Sequence, residues 1–346
     1  MNTTLVKLSP ALPLEPQLMP AADCLRGGGT VVFPTETVYG LGANALCADS
    51  VRKIYEAKGR PSDNPLIVHV SDPAHISEYA KTCRLAERLF ENFMPGPFTL
   101  ILPKRDIVPY EATAGLDTVA VRCPENLAAR TLISLAGVPV AAPSANLSGK
   151  PSPTSAEHVI EDLWNKVDYI INGGQCEIGL ESAVVIIEDG KLRILRPGAV
   201  GIDELSAVAG KGNVIYEPGE SAEHTAAPRS PGMKYRHYAP NAPLYLLKMD
   251  DQAFYSYISG LPDKKIGVIC YNEDAEIMSA AGNVYVLTMG GKSDTAAQAK
   301  NIFALLRQFN RLDVDVIYCR APENKDNAIG LAMYNRLGKA AAEIIE

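Results

Sequence analysis

Two cations flanking a glycine, Lys58-Gly59-Arg60, open a polar stretch that runs through Ser62, Asp63 and Asn64 to Pro65. Arg60 offers a planar fork of donors suited to phosphate oxygens, Lys58 adds a point charge, and Gly59 lets backbone approach a ligand. Taken alone, such a K-x-R is better explained as a solvated helix C-terminus whose cations complement the helix dipole. A second run, from Pro143-Ser144-Ala145-Asn146 through Ser152 to Thr154, crowds hydroxyl and amide donors into a strand-to-helix turn. It suits a phosphate or ribose as well as it suits an ordinary loop capping its own helix. A third, Pro34-Thr35-Glu36-Thr37-Val38-Tyr39-Gly40-Leu41, brings two hydroxyls and a carboxylate that could orient a small polar substrate. Gly291-Lys292-Ser293 lacks the glycine five positions before Gly291, so this is not a P-loop.

These segments stand at the ends of strand-like runs, where open α/β sheets usually place their sites. Apolar runs at 30–34, 66–70, 98–102, 119–122, 138–141, 169–171, 183–187 and 192–195 predict strands. Arg122 closes one, Ser182 opens another, and Arg196-Pro197-Gly198 ends the last. Helical patterns lie at 50–57, capped by Asp49, at 84–93, at 127–135, and after Thr154 or Ser155. The expected domain is α/β with α+β character, a twisted mixed sheet with helices. Prolines and glycines punctuate 216–243, which reads as a linker. Its centre, Ser230-Pro231-Gly232-Met233-Lys234-Tyr235-Arg236-His237-Tyr238, is too aromatic and ionisable for a mere spacer. Strands at 244–248, 266–270, 284–287 and 316–319 then alternate with helices at 251–259, 275–281, 295–312 and 328–345, which predicts a small Rossmann-like parallel sheet. No G-x-G-x-x-G opens its helices, so no dinucleotide is assigned. The expected domains are 1–215, linker 216–243 and 244–346.

Length and composition bound the rest. A chain of 346 residues with 47% hydrophobic and 21% charged residues is expected to form two globular domains. No run approaches the ~20 apolar residues of a membrane span, and the first twenty residues do not read as a secretory signal, so the expected location is the cytoplasm. The seven cysteines form no C-x-x-C pair and the five histidines no H-x-x-x-H, which leaves no metal site made of protein ligands alone. The formal net charge of −7 weighs against broad attraction to nucleic acid.

Together with Pro95-Gly96-Pro97-Phe98-Thr99 and Gly179-Leu180-Glu181-Ser182, the segments above resemble, in order and spacing, the YrdC-like family. The 230–238 segment and Asn335-Arg336-Leu337-Gly338-Lys339-Ala340-Ala341 resemble the linker and tail of its long, two-domain form. The resemblance implies synthesis of threonylcarbamoyl-AMP and pyrophosphate from L-threonine, bicarbonate and ATP, with Mg2+ accompanying ATP. The product would pass to a tRNA threonylcarbamoyl transferase complex. The family's K-x-R and S-x-N quartet falls on Lys58, Arg60, Ser144 and Asn146. The same resemblance suggests Asn64, Thr118, Ser152, Arg196 and His237 for ATP, and Thr35 or Thr37, His69, Arg122 and Ser182 for threonine. Lys234, Tyr235, Arg236, His237 and Tyr238 would form a lid over the occupied cleft. Ala142 stands where some relatives carry threonine, which removes one hydroxyl contact. Two rivals have other signatures: a carbamoyl-transfer module would carry acylphosphatase-like and zinc-finger segments, and a module binding RNA directly would carry a basic balance.

Overall fold

The computed structural model describes residues 2–217, 237–262, 265–279, 284–324 and 326–346. The chain divides into two compact units, Met1–Ser148, Pro153–Glu177 and Glu181–Tyr235 in one, and Gly149–Ser152, Ile178–Leu180 and Arg236–Glu346 in the other. No helix among the described residues is long and apolar enough to cross a membrane.

The first unit holds strands β1 (Thr4–Lys7), β2 (Val31–Phe33), β3 (Gly40–Asn44), β4 (Ile67–His69), β5 (Phe98–Pro103), β6 (Thr118–Arg122), β7 (Val140–Ala142), β8 (Tyr169–Asn172), β9 (Ala183–Glu188), β10 (Lys191–Arg196) and β11 (Val214–Ile215). They form one mixed sheet in the order β1-β8-β2-β3-β7-β4-β6-β5-β9-β10-β11. Among the described residues seven α-helices accompany it: α1 (Leu14–Arg26), α2 (Ala48–Lys58), α3 (Arg84–Phe93), α4 (Tyr110–Thr113), α5 (Leu127–Ala136), α6 (Ala156–Leu163) and α7 (Ile202–Ala209). One face of the sheet packs on α2, α3, α6 and α7 through a large apolar core that includes Ile54, Leu89, Val159 and Leu205. On the other face α1 and α5 cover β2, β7 and β8, with Leu18, Leu25, Leu132 and Ile133 against Phe33, Val140 and Ile171.

Helix α1 and strand β3 are among the elements that escape the hydrophobic pattern, and α2 is shifted from it. Helix α1 begins after Pro13 and carries Pro16 in its first turn, where a missing N–H costs little, and Pro20 in its interior. Its buried stripe of Leu18, Ala21, Ala22 and Leu25 stabilises it despite the prolines. Strand β3, read from sequence as a polar stretch, is glycine-rich because a Cβ on Gly42 would come within 2.6 Å of Val140 and 2.7 Å of the Phe33 ring. Helix α2 starts two residues earlier than expected: Cys47 is its N-cap, and Asp49 lies in the first turn, where a carboxylate suits the helix dipole.

The second unit is an all-parallel sheet of β12 (Leu244–Leu247), β13 (Ile266–Cys270), β14 (Val284–Thr288), β15 (Val316–Arg320) and β16 (Glu343–Ile345), in the order β14-β13-β15-β12-β16. Its helices are α8 (Asp251–Ser259), α9 (Ala275–Ser279), α10 (Thr295–Phe309) and α11 (Ala328–Ala340). The expected helix through 345 stops at Ala340, and Glu343–Ile345 adds a parallel edge strand to β12. Ladder hydrogen bonds to β12 override the helix propensity of the alanines before it.

Candidate functional site

The registers of the central strands decide which side chains share a face. β4 pairs with β6 so that His69 lies opposite Arg122, and Ile67 opposite Ala120. β5 carries Ile101 opposite Ala120 and Ile186. Because side chains alternate, Ile67 and His69, Ala120 and Arg122, Thr99 and Ile101, and Val184 and Ile186 all project from one face. The apolar members form a small buried cluster of their own, separate from the main core. The polar members border it. Extending the same registers two residues back brings Ser144 and Thr118 level with Pro65, beside Asn64. Four residues of strand, about 13 Å, separate that level from His69 and Arg122.

At the first end, α2 terminates at Lys58 and Gly59 turns the chain with φ of 58°, a left-handed conformation that glycine adopts at little cost. The helix C-terminus and the K-G-R motif are thus the same feature. Lys58 is 2% exposed, not in the open position the motif suggested. Its ammonium donates to the carbonyl of Ser144 at 2.6 Å and to that of Asn146, while Ser148 N donates to the Lys58 carbonyl. Ser144 Oγ donates to Asn146 Oδ1 at 2.6 Å, and Asn146 Nδ2 to the Leu147 carbonyl. The two motifs are therefore one interlocked unit. Arg60 Nη2 donates to the carbonyls of Asn64 and Pro65, both at 3.3 Å. Asn64 is buried, and among the described residues its Oδ1 has no hydrogen-bond donor.

At the second end, Arg122 is 4% exposed and donates from Nη2 to Glu36 Oε1 at 2.5 Å and from Nε to the Gly96 carbonyl at 3.3 Å. Burial opposes ionisation of Glu36, but the charge and hydrogen bond of Arg122 outweigh it and hold the carboxyl below its ordinary range. Burial, reinforced by the Arg122 charge, pushes His69 down to about 3, so its imidazole is neutral. Its Nδ1 lies 3.0 Å from the Ile67 carbonyl, which can only accept, so Nδ1 carries the proton. Ser182 Oγ pairs with Thr99 Oγ1 at 2.8 Å, and Arg196 donates from Nε to the Ser182 carbonyl and from Nη2 to its hydroxyl. Arg196 and Ser182, assigned from sequence to different ligands, thus touch each other. Thr35 and Thr37 are buried: Thr35 Oγ1 donates to the Val38 carbonyl at 2.6 Å and accepts from the N–H groups of Thr37 and Val38, shaping the turn that carries Glu36.

Ser152 and His237 are buried and belong to the second unit. Lys234, Tyr235 and Arg236 lie outside the described residues. From sequence Glu36 was only the carboxylate of a run that could orient a polar substrate, and Thr99 was given no role. The signal for Glu36 was its place between two threonines of one motif, and for Thr99 its place in the Pro95–Thr99 segment.

A mixed sheet that carries interlocked K-x-R and S-x-N motifs at one end of a face and a buried arginine at the other, followed by a small parallel-sheet domain, defines a two-domain YrdC-like protein. A family described as "Telomere recombination" matches residues 23–198, and one described as "Threonylcarbamoyl-AMP synthase, C-terminal domain" matches residues 200–342. The chain is 44% identical to the threonylcarbamoyl-AMP synthase of Pyrococcus abyssi over 332 residues, 93% of each chain. To that of Bacillus subtilis it is 44% identical over 331 residues, 94% of this chain and 93% of the relative. The crystal structure of P. abyssi Sua5 complexed with L-threonine aligns with a TM-score of 0.88 at 41% identity, over 100% of this chain and 99% of that one. The chain belongs to the long, two-domain form of the threonylcarbamoyl-AMP synthase family.

Proposed function

We propose that this chain condenses L-threonine, bicarbonate and ATP into threonylcarbamoyl-adenylate with release of pyrophosphate and water, for threonylcarbamoyladenosine formation in tRNA. The observation that carries the proposal is the two-ended site on one sheet face, with the Lys58–Ser144–Asn146 lock and Arg60 at one end and Arg122 with neutral His69 at the other. The first end suits the phosphates of ATP. Lys58 fixes the 144–146 turn through the Ser144 and Asn146 carbonyls, and the unmatched acceptor of Asn64 suits an N–H or O–H donor of the nucleotide. The second end suits threonine. Arg122 takes its carboxylate, and neutral His69 hydrogen-bonds its hydroxyl, without acting as acid or base near neutral pH. Leaving those buried polar groups unpaired would penalise an amino acid lacking the hydroxyl.

The reaction asks mainly for positioning. The neutral threonine amine attacks the carbon of CO2 or bicarbonate. An oxygen of the resulting carbamate then attacks the α-phosphorus, and the bond to pyrophosphate breaks. Neither step requires a covalent enzyme intermediate, so alignment and fixed cations can supply the catalysis. Among the described residues no three His, Cys, Asp or Glu side chains gather where they could hold a metal ion. Mg2+ in this reading rides on the phosphates of ATP and spreads their charge, and the adenylate passes to a transferase acting on tRNA. Incubation with ATP, Mg2+, bicarbonate and threonine should release pyrophosphate only when all are present. Release independent of threonine or bicarbonate would refute the proposal.

A further inference from the structure

The buried pair Glu36–Arg122 has one more consequence. Isolated buried ion pairs add little net stability, because desolvating both charges offsets most of their attraction, so such a pair is better explained by what it orients. Glu36 is itself pinned. It lies on the Pro34–Tyr39 turn shaped by Thr35 Oγ1, it is 3% exposed, and its Oε2 accepts from the backbone N–H of Asn126, the N-cap of α5, at 3.4 Å. Its Oε1 holds Nη2 of Arg122, and the Gly96 carbonyl holds Nε. Among the described residues Nη1 makes no hydrogen bond, so the guanidinium is fixed on two sides with a third donor edge left over.

We propose that Glu36 is a positioning residue for threonine: it sets the rotamer of Arg122 so that the remaining donors meet the substrate carboxylate. The proposal rests on the reading that Arg122 binds that carboxylate. It also fixes the sign of the mutant effect. By charge alone, removing a carboxylate beside Arg122 should tighten a second carboxylate there. By positioning, the same change weakens it, because Arg122 is released into several rotamers and the ligand must bear the cost of ordering one.

The test compares Glu36→Ala, Glu36→Gln and Glu36→Asp in steady-state pyrophosphate release and in direct threonine binding by calorimetry, with thermal melting as a check on folding. Glu36→Ala should raise the KM and Kd for threonine tenfold or more, with the KM for ATP unchanged and kcat within threefold. Glu36→Gln, which keeps an acceptor at the same reach, should restore most of the affinity. Glu36→Asp keeps the charge but withdraws it by one methylene, and should bind threonine worse than Glu36→Gln. Threonine amide, which lacks the carboxylate, should bind wild type and all three variants alike. Unchanged or tighter threonine binding in Glu36→Ala would overturn the proposal, as would Asp outperforming Gln; if Ala fails to fold, the Gln and Asp order decides. Arg122→Ala separates the underlying reading: if it leaves threonine affinity intact, Arg122 does not bind the carboxylate at all, whereas an effect there with none at Glu36 removes only the role of Glu36.

Discussion

Arg122 in the first unit and Arg320 in the second are buried to 4% and 1% exposure and sit at the ends of strands, yet their surroundings differ. Arg320 donates to Asp274 at 2.9 Å, to Glu323 at 3.2 Å and to Asp251, and it lies 5.1 Å from the ring centroids of both Phe254 and Tyr271. Lys292 ties Asp251 and Glu323 from the loop after β14. The segments that follow β12, β13, β14 and β15 are thereby joined at the carboxyl end of a parallel sheet, the place where such sheets commonly take ligands. Here both terminal nitrogens of the arginine are occupied by protein carboxylates. Arg122 meets a single carboxylate and keeps an edge without a hydrogen bond. A buried arginine whose terminal nitrogens are all matched locks loops together, and one left partly unmatched is built for something else.

The contrast can be broken most directly at Arg320. Arg320→Ala leaves Asp274, 2% exposed, without its counter-ion, and should cost about 3–5 kcal/mol of stability in chemical denaturation. A loss below about 1 kcal/mol would mean that the cluster is not a lock. Next in size is Lys58→Ala. The motif read alone as a solvated helix end, but the buried ammonium organises two carbonyls. Turnover should fall about 100- to 1,000-fold, as when one preorganised donor is removed, together with a lowered melting temperature; a variant that loses turnover with an unchanged melt would restore the picture of an exposed cation.

Smaller effects should appear in acid and come from the first unit. His69 is held at about 3 when folded, against an ordinary value near 6.5. Between these values the unfolded chain binds more protons, so stability rises with pH across that window, by up to about 1.4 kcal/mol per pH unit. The lowered carboxyl of Glu36 adds in the same direction: its contribution is present above the ordinary carboxylate range and is lost as pH falls through the folded value. His69→Gln should flatten the dependence of denaturation free energy on pH between about 6 and 4. An unchanged slope would mean that His69 is not the group responsible.

Strand runs that alternate cleanly or stay wholly apolar, such as Phe98–Pro103 and Ala183–Glu188, could be read one residue at a time, because burial on one or both faces leaves its period in the chain. Helix α1 and strand β3 could not. Prolines hide one and glycines the other, and in both the decisive term is a neighbour far away in sequence: α5 for α1, Phe33 and Val140 for Gly42. The site divides in the same way. Lys58, Arg60, Ser144 and Asn146 were legible as a set because their residue types and spacing match a family pattern. Glu36 was visible only as an unassigned carboxylate in a motif.

By itself the sequence determined the two-domain α/β organisation and the family, and singled out the quartet as a candidate, since these depend on local period, turn residues and ordered motifs. Only the tertiary structure decided that Lys58 is buried among carbonyls, that Arg196 touches Ser182, and that Glu36 holds Arg122 across 86 positions of chain. The physical reason is that charge pairing and desolvation depend on distance in space. Strand register sets that distance, and no local pattern of residues encodes it.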